Sequence, residues 1–575
     1  MNSLYSRFQL LVFLFLLVGC STGDTNKNDI SKRPIIGCAP PPTTDREWYN
    51  SDNIAPLFEG LDAVDFKITT DNELVQRYFN QGLALAYGFN HAEAARSFYY
   101  ASKLDSTCAM AFWGFAYVLG PNYNAGMESD NYERAYVAIR KAIDLAIGVS
   151  EKEGALILAL SERYVKEPVE DRSSLDIAYS KALKKLAVDI PDDADIATLY
   201  AESMMNLHPW DLWSKDGSIK EWTPDIIDAL DNAIALDPNH IGAHHFYIHA
   251  VEMSKTPELG YKSAKLFDDG VVPGAGHLVH MPSHIYIRTG DYHKGTIANI
   301  NAIMADSNYI TSCRAQGAYP LAYYPHNYHF MAATATLEGN SKWAIKASLE
   351  MSEYVNEVIM QQPGWATLQH FYTIPYYVYV KFGKWDEILA MTNFNSKLKY
   401  PEAVRHYARG MAFLGKGEVD NAKVELEELE IYANDESLKE LTIWDINSMH
   451  TIIQIAEKVL KAEVLASEKS FDESIQLLKE AVVIEDALNY NEPPDWFFSV
   501  RHHLGAVEIE AGKYDDAIVT YNEDLDRLPK NGWALHGLQL AYSNLGNSVM
   551  ADQTSEKLEL IWATADVELT TSRMK

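Results

Sequence analysis

One pattern governs what this chain can fold into. From about Asn72 onward it repeats an apolar stretch of helical period, a Gly-containing turn, a second stretch with small residues on one face, and a break. The clearest copy runs Tyr78-Phe79-Asn80-Gln81-Gly82-Leu83-Ala84-Leu85, then Tyr87-Gly88-Phe89-Asn90-His91-Ala92-Glu93-Ala94-Ala95. Gly82 lets two helices approach, Gly88 sits at the turn, and Ala94 and Phe98 pack back. Related turns recur at Gly290, Gly339, Gly383, Gly415 to Gly417, Gly512 and Gly546, and Leu104-Asp105, Leu236-Asp237-Pro238 and Leu528-Pro529 close second helices. Repeat spacings run from about 34 to about 50 residues, as helical repeats with insertions do. No stretch alternates with period two for long enough to argue for a sheet. At 575 residues and 47% hydrophobic composition the chain is too long for one compact core, whereas stacked helix pairs extend a core by addition.

The N-terminus carries a second signal. Arg7 precedes an apolar run from Leu10 to Val18, too short to span a bilayer but suited to a secretory leader. It ends in Leu17-Val18-Gly19-Cys20, which resembles the bacterial lipobox, implying cleavage after residue 19 and lipidation of Cys20. Acyl chains would then be the only membrane anchor, since no later segment is apolar for long enough. Residues 1–19 read as the signal peptide, 20–60 as lipidated Cys and tether, 61–565 as the repeat array and 566–575 as a tail. The expected location is the bacterial cell envelope, in a leaflet the sequence does not name. Cys38, Cys108 and Cys313 remain, an odd number in an oxidising compartment, with any pairing open. The formal charge of −31 argues against nucleic acid as a partner, because phosphate binding draws on clustered cations.

Histidine is the third signal. Of 18 in the chain, ten fall between His240 and His329. Residues at i, i+3, i+4 and i+7 share a helix face, so His245, His249 and Glu252 form one stripe, His277, His280 and His284 another, and His326 with His329 a third. Each stripe falls in the first helix of a repeat. Aligning repeats on their turns superimposes His277 and His280 on His326 and His329, and His280 on His244. Neighbouring helix axes sit about 8–10 Å apart, so imidazoles entering one seam from both sides can meet. The candidate metal ligands are His244, His245, His249, Glu252, His277, His280, His284, His326 and His329, enough for one or two ions of copper or zinc. A stacked polar seam with each ring bonded to a carbonyl is the structural alternative. Tyr286 and Arg288, beside the second stripe, are candidate substrate contacts. His240 and His293 read as peripheral, His91 as a turn residue and His208 as a helix end. His502 and His503 reach the cluster only if the array curls. No catalytic residue can be assigned.

The first repeat copy resembles the tetratricopeptide (TPR) signature. The segment Pro273-Gly274-Ala275-Gly276-His277-Leu278-Val279-His280-Met281-Pro282-Ser283-His284-Ile285, with Tyr324-Pro325-His326-Asn327, Phe89-Asn90-His91-Ala92-Glu93-Ala94 and Asn531-Gly532-Trp533, is similar to a group of bacterial TPR lipoproteins of poorly defined function. The resemblance implies an all-α fold of TPR-like helical hairpins forming a right-handed superhelical solenoid, and supplies no reaction. Two functions follow as expectations: a metal-binding envelope lipoprotein, acting as oxidase or hydrolase if it is an enzyme, or a metal-free scaffold that binds a protein or peptide on its concave face.

Overall fold

The glycines read as turns do stop helices. Gly290, Gly339, Gly383, Gly417, Gly512 and Gly546 all adopt positive φ, between 64° and 80°, the left-handed conformation that ends a helix and admits glycine without strain. The computed structural model describes residues 46–313, 319–391 and 398–575, so the leader, Cys20 and Cys38 lie outside the described residues, as does the Cys313 side chain. Throughout the described residues consecutive helices pack against one another, giving the TPR-like helical-hairpin array expected from the sequence.

The first pair shows how. Asn72 caps the helix Glu73–Tyr87 by accepting from Leu74 N at 3.0 Å, and Asn90 caps the helix His91–Leu104. The Phe98 ring fills the space between pairs. A Cβ on Gly82 would lie 2.8 Å from that ring and one on Gly114 2.3 Å away, so neither position tolerates a larger residue without displacement. Two irregularities break the repeat in the histidine region. Pro282 separates the helix Gly276–His280 from the helix Pro282–Thr289, and a π-helical turn at Tyr319–Tyr323 precedes the helix Tyr324–Leu337. Although no stretch alternates like a strand, Thr442–Ile443 pairs antiparallel with Asn447–Ser448 in a short hairpin.

Repeats far apart in sequence also touch. Trp533 Nε1 donates to Thr336 O at 2.9 Å, the Tyr292 hydroxyl donates to Pro529 O at 2.8 Å, and Trp562 packs on Gly339 and Gly532. On the other side Gly274 N donates to Gly60 O at 3.0 Å and Asn124 Nδ2 to the Tyr323 hydroxyl at 3.2 Å. One apolar core ends at Tyr286 and a second begins at Ile287, so the histidine helices form the seam between them.

Residues on both sides of the expected array also pack against it. Part of the tether is docked: Ala55 is fully buried, Phe58 packs edge-on to Tyr309, and Trp48 and Tyr49 pack with Tyr99, because aromatic side chains within 46–60 have apolar surface to cover. The tail is equally fixed, with Ser572 fully buried. Cys108 is a free, buried thiol, pushed up to about 11 by burial. No helix among the described residues is long and apolar enough to cross a membrane.

Candidate metal centre

The helix Ile241–Val251 is buried along its whole length, and its one-turn spacing sets His245 and His249 on one face, with Glu252 at the turn that follows. The helix Gly276–His280 is placed by a separate network. Asp306 accepts from the Tyr319 hydroxyl at 2.8 Å and from Asn327 Nδ2 at 2.7 Å, and the Tyr319 oxygen accepts from His277 N at 3.0 Å. Burial pushes the Asp306 carboxyl up to about 7. Its oxygen stands 2.0 Å from where a Cβ on Gly276 would be, so glycine is required there. Past the Pro282 break, His284 turns back toward His280.

Two triads result. His245, His249 and His277 bring one nitrogen each within 4.8 Å of the others, and His280, His284 and His326 do the same. The ring centroids of His245 lie 4.9 Å from His249 and 5.0 Å from His277, and those of His280 lie 4.8 Å from His284 and 5.0 Å from His326. Glu252, 1% exposed, joins them: Oε1 is 2.9 Å from His249 Nδ1 and Oε2 is 2.5 Å from His284 Nδ1. Burial pushes the Glu252 carboxyl up, but the adjoining His284 and His249 outweigh this and keep it ionised. Burial drives His245, His277, His280 and His326 well below the ordinary imidazole value, which leaves them in the neutral, ligating form.

The hydrogen bonds fix where the protons sit. Neutral imidazole carries one N–H, and a bond at one nitrogen determines the other. Asn299 Nδ2 donates to Gly295 O at 2.8 Å, so its Oδ1 faces His280 Nδ1 at 2.8 Å as an acceptor. Ser283 Oγ, 3.1 Å from the same nitrogen, spends its proton on His280 O. Nδ1 of His280 is therefore the donor and Nε2 is bare. Glu252 Oε2 lies against His284 Nδ1. The bare His280 Nε2 faces His284 Nε2 at 2.9 Å, close enough for the two to share one proton or one cation. In the other triad His245 Nδ1 is held by Tyr87 O at 2.5 Å and His249 Nδ1 by Glu252, while His245 Nε2, His249 Nε2 and both His277 nitrogens have no hydrogen-bond partner among the described residues. Each buried polar atom left so costs about 1–3 kcal/mol.

Three aromatic residues that close the site adopt left-handed backbone: Phe89 at φ 55°, Trp210 at 57° and Trp444 at 54°. This conformation is strained for bulky side chains and persists where surrounding structure enforces it. Each ring meets a histidine. Phe89 lies 4.6 Å from His245 and 5.4 Å from His277, Trp210 5.7 Å from His249, and Trp444 6.2 Å from His326. Trp444 is the outer wall, 36% exposed at the hairpin tip.

Two expected ligands stand apart. His244 has Nδ1 at 2.8 Å from Ser263 Oγ and Nε2 at 3.0 Å from Pro238 O, so both nitrogens are committed elsewhere. His329 belongs to neither triad: its ring is 5.5 Å from His370 and stacks on Phe497 at 5.2 Å. The register read from turn spacing assumed unbroken helices, and the Pro282 break and the π-turn before His326 shift the phase. Tyr286 donates to Asp268 on another helix, away from the triads. Arg288 Nε donates to Glu252 O at 3.1 Å and lies 3.7 Å from Glu492, in a cleft of about 180 Å³. Glu492 Oε2 is 3.8 Å from His284 Nδ1, and burial and the charge of Glu252 push that carboxyl well up. His502 and His503 bond instead to Asp524 and Glu463. Sequence reasoning missed Glu492, Asn299, His370 and the three strained aromatics, none of which shares a motif or helix face with the histidine stripes.

No protein-family model and no curated protein sequence matches the chain. Among solved structures it is similar to the human IFIT1 dimer with m7Gppp-AAAA, at 12% identity over 87% of this chain and 92% of that one with a TM-score of 0.30. It is also similar to yeast Tom70, at 11% identity over 84% and 99% with a TM-score of 0.29, and to the APC/C hetero-tetramer Cut9-Hcn1, at 12% identity over 88% and 77% with a TM-score of 0.27.

Proposed function

We propose that this protein is a transition-metal protein of the bacterial cell envelope, tethered through lipid on Cys20, that holds two ions in its histidine triads. One ion is bound by His245, His249 and His277, the other by His280, His284 and His326. Glu252 orients a ligand of each and couples the two. The observation that carries the reading is the gathering of two buried histidine triads, each bringing one nitrogen per ring within 4.8 Å of the others, around the carboxylate of Glu252. A hydrogen-bonded polar seam would not leave His245 Nε2, His249 Nε2 and both His277 nitrogens without partners among the described residues.

Neutral imidazole suits copper and zinc. Three protein ligands leave a coordination position for water or substrate, the pattern of catalytic rather than structural sites. A zinc ion there supplies Lewis acidity for hydrolysis, and a copper pair supplies oxidative chemistry, so the ion identifies the reaction class.

The test is elemental analysis of protein purified without an affinity tag or chelator. Two ions per chain are expected, falling to one in His280→Ala and one in His277→Ala with helical circular dichroism retained. A folded chain that takes up neither zinc nor copper on reconstitution overturns the reading and leaves the peptide-binding scaffold.

A further inference from the structure

The segment after the last helix is bound as a ligand would be. Asp566, at its start, accepts from Ser341 N at 2.8 Å and Lys342 N at 3.2 Å. The chain then runs without helix or strand into the inner face of the last repeats. That face is lined by side chains of the helices Thr367–Lys381, Lys399–Gly415, Met449–Ser467, Arg501–Glu510 and Tyr514–Arg527.

Each side chain of Ser572-Arg573-Met574 meets a matching group. Ser572 Oγ donates to His502 O at 2.6 Å and accepts from the Tyr521 hydroxyl at 2.7 Å, and Ser572 O accepts from Lys381 Nζ at 3.1 Å. Arg573, 2% exposed, lies between Glu463 and Glu510, the latter at 2.9 Å. Met574 packs over Gly383 and into a pocket with Tyr377, Met411 and Trp496. The groove's own polar groups are already ordered by each other. Asp524 is 3.0 Å from His502 Nε2, His502 Nδ1 is 2.9 Å from Lys381 Nζ, and His503 Nδ1 is 2.6 Å from Glu463. Lys381 also lies over Trp533 at 4.0 Å.

A strap that only caps an apolar end needs apolar contacts. Burying a guanidinium instead costs several kcal/mol per ion unless it is matched. We propose that this inner face is a peptide-binding groove that recognises an extended Ser-Arg-Met-like segment. Residues 569–575 are its resident occupant, exchangeable for the same chemistry on a partner protein. Glu463 and Glu510 read the Arg, His502 and Tyr521 the hydroxyl, and the pocket at Gly383 the apolar residue. The groove uses none of the histidines of the two triads.

The probe is a fluorescein-labelled synthetic peptide of sequence Leu-Thr-Thr-Ser-Arg-Met-Lys, followed by fluorescence polarisation. It should bind a chain ending at Glu568, and also the full-length Arg573→Ala variant, whose own occupant is weakened, at least tenfold more tightly than the unaltered chain. A peptide with Ala in place of Arg should lose at least tenfold in affinity for both. The full-length variant carries the test if the shortened chain does not fold. Binding to neither chain, with helical circular dichroism unchanged in the variant, or equal binding of the Ala peptide, overturns the proposal.

Discussion

Replacing Glu252 with Gln isolates the group that links the two triads. The carboxylate accepts from His249 Nδ1 at 2.9 Å through one oxygen and approaches His284 Nδ1 at 2.5 Å through the other. Gln keeps the shape but offers one acceptor and one donor, so it can serve only one of these N–H groups. The other histidine then faces an N–H and is driven to the opposite tautomer, with its proton on Nε2, the nitrogen that should bind the ion. Loss of such a support costs about 10–100-fold in metal affinity, or about 1.4–2.7 kcal/mol. The metal-free fold should suffer less, because the substitution also removes a buried charge. Competition titration of metal-free protein against a chromogenic chelator reads the affinity of each ion, and urea unfolding of the same samples reads stability. We expect one ion weakened by at least tenfold and the other by less. Unchanged affinity for both ions in Glu252→Gln refutes the tautomer argument.

Other substitutions separate the ligands from their neighbours. His244→Ala and His329→Ala should leave two ions per chain by elemental analysis, whereas His284→Ala should lose one; a drop in either of the first two contradicts their placement outside the triads. Trp444→Ala removes a ring about two-thirds covered, so stability should fall by about 2–4 kcal/mol, and stripping of an ion by chelator should speed several-fold because His326 loses its cover. An unchanged stripping rate would show that Trp444 shields nothing. His370 is fully buried, and burial lowers it to about 3 from the ordinary 6.5. Its neutral form is favoured in the fold, so its contribution is complete above pH 6.5 and is lost as pH falls toward 3, at about 1.4 kcal/mol per unit because the unfolded chain takes the proton first. Urea midpoints of metal-free protein between pH 7.5 and 4.5 should therefore fall less steeply in His370→Gln than in the unaltered chain, and parallel slopes would count against this.

Most of the architecture was legible because it is local. Turn glycines, caps such as Asn72 and Asn90, and small residues facing Phe98 act within one repeat, and spacing exposes them. The grouping of the histidines was legible in part for the same reason. His245 and His249 share a turn-spaced face on an unbroken helix, and Glu252 follows at its end on the same side. Extending the register from one repeat to the next failed at His244 and His329, because Pro282 and the π-turn at Tyr319–Tyr323 change helical phase in ways that counting residues cannot follow. The walls were not legible at all. Phe89, Trp210 and Trp444 come from separate turns and a two-residue hairpin, and only contacts between distant parts of the chain bring their rings to the histidines. The same holds for the tail. Nothing in Ser572-Arg573-Met574 announces burial until Glu463, Glu510 and His502 are found around it.

Anomalous diffraction at the absorption edge of the bound metal tests the central claim most directly. The account predicts two peaks, one about 2.0–2.1 Å from nitrogens of His245, His249 and His277 and one equally close to nitrogens of His280, His284 and His326, as imidazole–metal bonds require. Crystals of metal-reconstituted protein with no anomalous peak at either triad, or with ions only at surface carboxylates, would contradict it.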